Sequence, residues 1–321
     1  MAYSLENRLV IGVSTRALFD LSAENKIFEE QGVEAYSAYQ KEHENEILKP
    51  GPGFSLVRAL LRLNVPAEQE NRVEVILMSR NNPDISLRIF HSIEYYGLHI
   101  TRAVFSSGAS LLPYLSAFQT DLYLSACEED VQAAIDAGIA GGVICGEGIR
   151  DYAGGYGRES EQIRIAFDGD AVLFSDEAEQ IYISQGLKAF ESSEKEKAAL
   201  PLHAGPFARF LKLLSNLQKE FDGGSAPIRT ALVTARCAPA HERVIRTLRS
   251  WDVRIDEAFF LGGITKREVL SAFGAQIFFD DQALHTSLAA EVVPAARVPL
   301  RSREGKPSNI YRLERRINEV S

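Results

Sequence analysis

Cysteine, histidine, methionine and tryptophan are all scarce in this chain of 321 residues, which carries 3 Cys, 6 His, 2 Met and 1 Trp. Cys127, Cys145 and Cys237 are odd in number and lack the paired spacing of a zinc site or a disulfide framework. Free thiols in a reducing compartment are therefore expected. No two histidines stand at metal-ligand spacing, which leaves a His/Cys metal centre without donors. Long apolar runs are missing as well. None approaches the roughly 18 residues of a membrane span, and the start "MAYSLENRLVIGVSTRAL" lacks the basic flank and cleavage site of a secretory signal. A cytoplasmic protein with no membrane partner is expected. Positive charge is in deficit, with 35 Lys and Arg against 44 Asp and Glu and a formal net charge of −9. A polymeric nucleic acid needs a basic face, so it is excluded as a bulk partner.

What the chain does have is 45% apolar and 25% charged residues, a balance that builds a core and, at this length, two domains. Short apolar runs alternate with helical patterns: "RLVIGV", "RVEVILM", "TRAVFSS", "TDLYLSA", "GGVICG", "IRIAFDG", "RTALVTA", "EAFFLGG", "AQIFFDD" and "AARVPL". That alternation predicts an α/β fold with a doubly wound, mainly parallel sheet. Helices are expected around Glu24 to Glu46, Pro83 to Tyr96, Pro239 to Ser250 and Lys266 to Phe273, with Pro83 and Pro239 in first turns.

The stretch from Leu77 to Ser125 can be laid on Leu232 to Asp280 without a gap, at a constant offset of 155 positions. Ser79 falls on Thr234, Phe105 on Phe260, Gly108 on Gly263, and "LSAF" at Leu115 on "LSAF" at Leu270. Upstream, Ser14 falls on Asp168 and Arg16 on Asp170. A duplicated α/β unit, or two halves of one larger sheet, is expected. The halves differ in acid: Asp168, Asp170, Lys266, Asp280 and Asp281 stand where the first half has Ser14, Arg16, Leu111, Ser125 and Ala126. Only the second half looks equipped for chemistry.

Strand ends at the carboxyl edge of a parallel sheet converge on one crevice. Asp168 and Asp170 end one strand, Thr234 the next, Asp280 and Asp281 a third, and Lys266 follows "LGG". Clustered carboxylates without His or Cys ligands suit Mg²⁺, which relieves their repulsion. A shielded carboxylate can attack phosphorus to form an aspartyl-phosphate, while a second one two residues on protonates the leaving oxygen. Thr234 and Lys266 then hold the remaining phosphoryl oxygens.

In this order, "DGDAV", "VTAR", "GGITK" and "FFDD" resemble the four motifs of haloacid dehalogenase-like phosphatases. More closely, "AFDGDAVLFSDEAE", "VSTRALFDL", "HAGPFARFLKLL", "LVTARCAPAHERVIRTLRSW" and "IFFDDQALH" resemble the cytosolic 5′-nucleotidases of type I, over nearly the whole chain. The resemblance implies Asp168 as nucleophile, Asp170 as general acid and then base, and Thr234 and Lys266 as phosphate holders. It implies Asp280 as the metal carboxylate, with Asp168, Asp170 and Asp281 completing the candidate metal set. The implied activity is Mg²⁺-dependent hydrolysis of a nucleoside 5′-monophosphate, a small-molecule substrate whose base is not fixed. A phosphatase or phosphotransferase acting on another small phosphate ester, and a non-catalytic nucleotide-binding regulator, are the alternatives.

Substrate-binding candidates are Ser14, Arg16, Asn81, His203, Phe207 and Arg236. Ser14 and Arg16, at a strand end, suit an anion; otherwise Arg16 pairs with Asp20 or Glu128. Asn81 reads a base or caps the helix near Pro83. His203 and Phe207 lie in "PLHAGPFARFLKLL", where a cap over the site would be built, and Phe207 either stacks on a base or belongs to the core. His285 stands behind the acids or on the surface. The tracts "ESSEKEKAALP" and "EEQGVEAYSAYQKEHENE" are expected to be solvated helical faces. "DGGSAP" is expected to be a turn and the glycines of "AGIAGGVICGEG" to flank a buried strand. The expected layout is an N-terminal α/β domain over 1–160, a degenerate repeat of the catalytic pattern, followed by a catalytic haloacid dehalogenase-like domain over 161–321 with a helical insert near 176–227. The basic tail "GKPSNIYRLERRINEVS" is a candidate for packing across a partner subunit in a homo-oligomer.

Overall fold

A computed structural model of the protein describes residues 5–64, 71–146, 162–221 and 226–301. The expected division at 160/161, most of the "DGGSAP" turn and the basic tail lie outside the described residues.

Each of the ten apolar runs contains a strand: β1 (Leu9–Ser14), β2 (Val73–Ser79), β3 (Arg102–Phe105), β4 (Leu122–Ser125), β5 (Ala140–Cys145), β6 (Ile163–Phe167), β7 (Ile228–Thr234), β8 (Glu257–Phe260), β9 (Ile277–Asp280) and β10 (Ala295–Arg297). They form one mostly parallel sheet in the order β3-β2-β1-β4-β5-β10-β9-β6-β7-β8. The inner strands β1 and β2 are buried along their whole length, which is why they read as continuous apolar runs rather than alternating ones. The edge strands β3 and β8 are covered less and are shorter.

Read from its outer edge inward, the first half is ordered β3-β2-β1-β4-β5 and the second β8-β7-β6-β9-β10. The halves meet where β5 pairs with β10, the sheet's antiparallel contact among the described residues. The carboxyl ends of β1 to β5 therefore point to one edge of the sheet and those of β6 to β10 to the opposite edge. Equivalent turns share backbone conformation: Ser107 and Gly108 have φ of 48° and 90°, and Gly262 and Gly263 have 58° and 90°.

Helical segments follow the first strand of each half. Ser22–Glu42, broken at Gly32, and Phe54–Leu61 lie between β1 and β2. Glu177–Gln185, Leu187–Glu196 and Ala208–Lys219 lie between β6 and β7. The last of these buries Phe210, Leu211, Leu214 and Leu217 on one face, a helical period that drives it onto the sheet. Gly205 ties this insert back to the strand end. Its backbone N–H reaches the Leu173 carbonyl at 2.9 Å, and a Cβ there would lie 2.4 Å from the Phe174 carbonyl oxygen. Pro83 opens a short 3-10 turn ahead of the helix Leu87–Tyr95, and Pro239 stands just before the helix His241–Ser250. Among the described residues, no helix is long and apolar enough to cross a membrane.

Candidate active site

The carboxyl edge of β6, β7 and β9 gathers the acids that the sequence scatters. Asp168 directly follows β6, and its backbone N–H donates to the Phe279 carbonyl at 2.8 Å. The next residues form a tight irregular turn in which Asp170 is extended and Ala171 is left-handed, at φ 59°. This conformation is costly for a residue with a side chain and needs surrounding packing to hold it. Gly169 permits the close approach of β7, because a Cβ there would stand 3.2 Å from the Thr234 hydroxyl.

Lys266 is the counter-charge for the pair of strand ends. Its Nζ lies 2.9 Å from Asp168 Oδ1 and donates to Asp280 Oδ2 at 2.7 Å, with all three residues buried. Burial opposes the lysine's charge, but Asp168 and Asp280 more than offset this and keep it cationic. Asp280 also accepts from the Gln282 backbone N–H at 2.9 Å. Burial raises the Asp280 pKa, yet Lys266 and His285 outweigh it and hold the carboxyl below its usual range. His285 Nδ1 stands 3.3 Å from Asp280 Oδ2, at ion-pair distance without hydrogen-bond alignment. His285 thus stands behind the acids.

Asp168, Asp280 and Asp281 each place a carboxylate oxygen within 4.8 Å of the others. Burial pushes Asp168 up to about 6, with Lys266 resisting and Asp280 adding to the rise. Asp281 is pushed well above the usual range, first by burial and then by Asp280 and Glu179, and its Oδ1 is buried without a hydrogen-bond partner. An orphaned, buried carboxylate oxygen among converging acids is what a hard divalent cation satisfies, and the all-oxygen donor set fits such an ion. Asp170 is not part of this trio: Arg236 takes both of its carboxylate oxygens, Nε to Oδ2 at 2.8 Å and NH2 to Oδ1 at 2.6 Å.

Arg236 is likewise not free for substrate. Its other arm pairs with Glu194, which also accepts from Arg243 NH1 at 2.7 Å. Arg236, Glu194 and Arg243 are all buried. Glu194 belongs to the tract expected to be a solvated face and is instead 0% exposed. Thr234, at the end of β7, is buried and its hydroxyl accepts the Arg236 backbone N–H at 3.2 Å.

The insert candidates do not meet the acids. Phe207 is fully buried, its ring 4.6 Å from Phe279 and 6.1 Å from Phe167, so it belongs to the core and cannot stack on a base. His203 is exposed and pairs with Glu177 at 3.0 Å. Ser14, Arg16 and Asn81 lie together, but around a separate cavity on the opposite edge of the sheet. Neither Asp20 nor Glu128 pairs with Arg16: Asp20 accepts from Ser22, and Glu128 binds Arg297. Asn82, not Asn81, caps the turn at Pro83, and Asn81 Nδ2 donates to the Tyr36 hydroxyl at 3.1 Å.

The model of the family described as 5'-nucleotidase matches residues 1–305. The chain belongs to the 5'-nucleotidase family. Among curated relatives, human "Cytosolic 5'-nucleotidase 1B" is 40% identical over 291 residues, covering 87% of this chain and 47% of that protein. The chain thus spans about half the length of the curated relative it matches. No solved structure matches significantly. Within this chain, sequence reasoning missed Glu179 as well as Glu194. Glu179 accepts from Gln282 Nε2 at 3.1 Å, and burial, reinforced by Asp170, Asp168 and Asp280, pushes its pKa up to about 7. The signal was its place in "DEAEQ", three residues after Asp176 and on the helix that leaves the acidic turn.

Proposed function

We propose that the protein hydrolyses nucleoside 5'-monophosphates through an aspartyl-phosphate, with Asp168 as the nucleophile. The observation that carries this reading is the buried Asp168 carboxylate at a strand end, 2.9 Å from Lys266 and within the trio of acids, in a chain of the 5'-nucleotidase family. Asp168 Oδ attacks phosphorus as the bond to the 5' oxygen breaks, and Asp170 gives its proton to that oxygen, releasing the nucleoside. A water molecule then attacks the acyl phosphate, Asp170 takes back a proton, and phosphate leaves with Asp168 restored. Asp170 can act in this way only after leaving the two nitrogens of Arg236 that now occupy both of its oxygens.

Thr234 supplies a hydroxyl, and Lys266 a fixed positive charge, to the phosphoryl oxygens as negative charge builds on them. Asp168, Asp280 and Asp281 are the residues that would hold Mg²⁺. When bound, such an ion neutralises charge on the phosphoryl group and on the acids. The matching strand orders of the two halves support a duplicated α/β unit whose second copy, of haloacid dehalogenase-like pattern, keeps the catalytic acids. The family relative's printed name supports a cytosolic setting for this chain.

The test is phosphate release from a panel of nucleoside 5'-monophosphates and sugar phosphates, with Mg²⁺ or with EDTA, for wild type and Asp168→Asn. Release from nucleotides that is lost in the variant and in EDTA is expected. Preference for sugar phosphates overturns the substrate, and release that survives Asp168→Asn overturns the nucleophile.

A further inference from the structure

The first half has its own crevice at its own carboxyl edge. The ends of β1, β2 and β4 and the turn after β3 enclose a cavity of about 580 Å³, within the usual range for a small-molecule site. It occupies in the first half the place that the acids occupy in the second, and its chemistry is inverted. Ser14 and Arg16 stand in the places of Asp168 and Asp170, and Ser125 and Ala126 in those of Asp280 and Asp281. Among the described residues, no acid trio stands there.

The charged groups on its walls are unequal. Arg80 is neutralised by Asp130, which takes both its Nε and NH2. Arg16 is exposed and has no hydrogen-bond or ion-pair partner among the described residues, although it also borders a neighbouring cavity lined by Asp20, Lys26, Glu29 and Glu30, so it is the cation of this crevice that no acid holds directly. A second feature points to a ligand independently. The Tyr123 hydroxyl lies on a fully buried residue of the cavity wall and has no hydrogen-bond partner of normal geometry, with the Ser125 hydroxyl as its nearby polar neighbour. Such orphaned groups are rare unless something meets them. Opposite, the Tyr36 hydroxyl accepts from Asn81, and burial raises its pKa so that it stays a protonated donor. The rest of the wall is mixed: Asn25, Ser37, Ser79 and Asn82 stand beside apolar Leu21, Met78 and Leu111. Phe28 and Val33 line it from the long helix although they are 46% and 63% exposed.

We propose that this crevice is a second, non-catalytic binding site for a small aromatic anion, whose charged group meets Arg16 and whose flat ring lies between Phe28, Val33 and Tyr36. A nucleoside phosphate has this form. The site lies on the edge of the sheet opposite the acids, so it binds such a molecule without hydrolysing it. The inference does not depend on the hydrolytic reading, because it concerns different residues and a different readout.

The test is photolabelling of the full chain carrying Asp168→Asn with 8-azido-AMP, followed by peptide mapping. Label is expected on peptides spanning residues 25–37 or 78–82, and excess AMP should remove it. Labelling there should fall at least tenfold on adding Arg16→Ala, an exposed position, or Ser37→Trp, which fills the cavity that Ser37 lines. In an Asp168 background Ser37→Trp should leave phosphate release and thermal unfolding unchanged, which shows that the cavity was filled without loss of fold. Label confined to second-half peptides overturns the proposal, and so does first-half label that survives Arg16→Ala. Adenosine and inorganic phosphate should each compete less well than AMP; competition by adenosine as strong as that by AMP overturns the role of Arg16.

Discussion

Arg236 grips both oxygens of Asp170, at 2.8 and 2.6 Å, from a position two residues beyond the end of β7. A carboxylate held by two guanidinium donors is purely an acceptor while that pair stands, so the same contact that orients Asp170 also restrains it from giving up a proton. The other arm of Arg236 is fixed by Glu194, on the insert helix Leu187–Glu196, and Glu194 is shared with Arg243. The insert and the strand-end turn are thus joined through one buried chain of alternating charge.

That chain sets a contrast in stability. Removing one member of a buried ion-pair network leaves its partners unpaired, at a cost of about 3–5 kcal/mol. Glu194→Ala should therefore lower the urea midpoint strongly and depress phosphate release, because Arg236 loses its anchor. Arg246→Ala breaks an exposed pair with Glu242 and should change stability by less than about 1 kcal/mol. Equal midpoints for the two variants would show that the network contributes nothing.

At Asp168 activity and stability should move apart. Asp168→Asn deletes the proposed nucleophile and should cut phosphate release roughly 10³-fold or more. Yet burial and Asp280 both disfavour its negative charge, and Lys266 keeps Asp280 as a partner at 2.7 Å. The metal-free variant should unfold at a temperature equal to or above that of metal-free wild type, as measured by calorimetry. A large drop in that temperature would assign Asp168 to structure rather than to catalysis.

Much of this arrangement was legible in the sequence. Each apolar run holds a strand of the described residues because buried parallel strands are apolar on both faces, and the two halves set at a constant offset between Ser79 and Thr234 have matching strand orders. The antiparallel seam of β5 and β10 was not legible. It depends on how two terminal strands meet, which leaves no periodic trace, and it is what moves Ser14, Arg16 and Asn81 to the far edge from Asp168. Glu194 was misread for a similar reason: in a charged tract, composition cannot tell which glutamate turns inward to meet two arginines.

The raised acids should make metal binding proton-coupled. In the metal-free protein Asp168 titrates at about 6 and Glu179 at about 7. Below these values the groups hold protons that a cation must displace. Affinity for Mg²⁺ should fall as pH drops from 8 to 5, with protons released on binding, as seen by calorimetry in buffers of different ionisation enthalpy. The sign for stability is opposite to that of an ordinary salt-bridged acid. A carboxyl raised by folding contributes stability below its unfolded value near 4 and loses it as pH rises through 6 to 7. Metal-free protein should therefore lose stability from these two groups between about pH 4 and 7, and Mg²⁺ should restore it at pH 8. Affinity independent of pH would sink this account.

Phe207 separates the two readings that its sequence left open. Its ring is 0% exposed and lies against Phe279, Phe167 and Phe210. Phe207→Ala should therefore cost about 3–5 kcal/mol through the lost contacts and the cavity left behind. Phe207→Leu keeps much of the volume, should cost less, and should remain folded well enough for kinetics. A ring that stacks on a base would raise KM when shortened to leucine, whereas a ring that packs the core under the insert would leave KM unchanged and lower only the denaturation midpoint. The second outcome is expected, since no face of the ring reaches solvent; a several-fold rise in KM at unchanged stability would return Phe207 to the substrate.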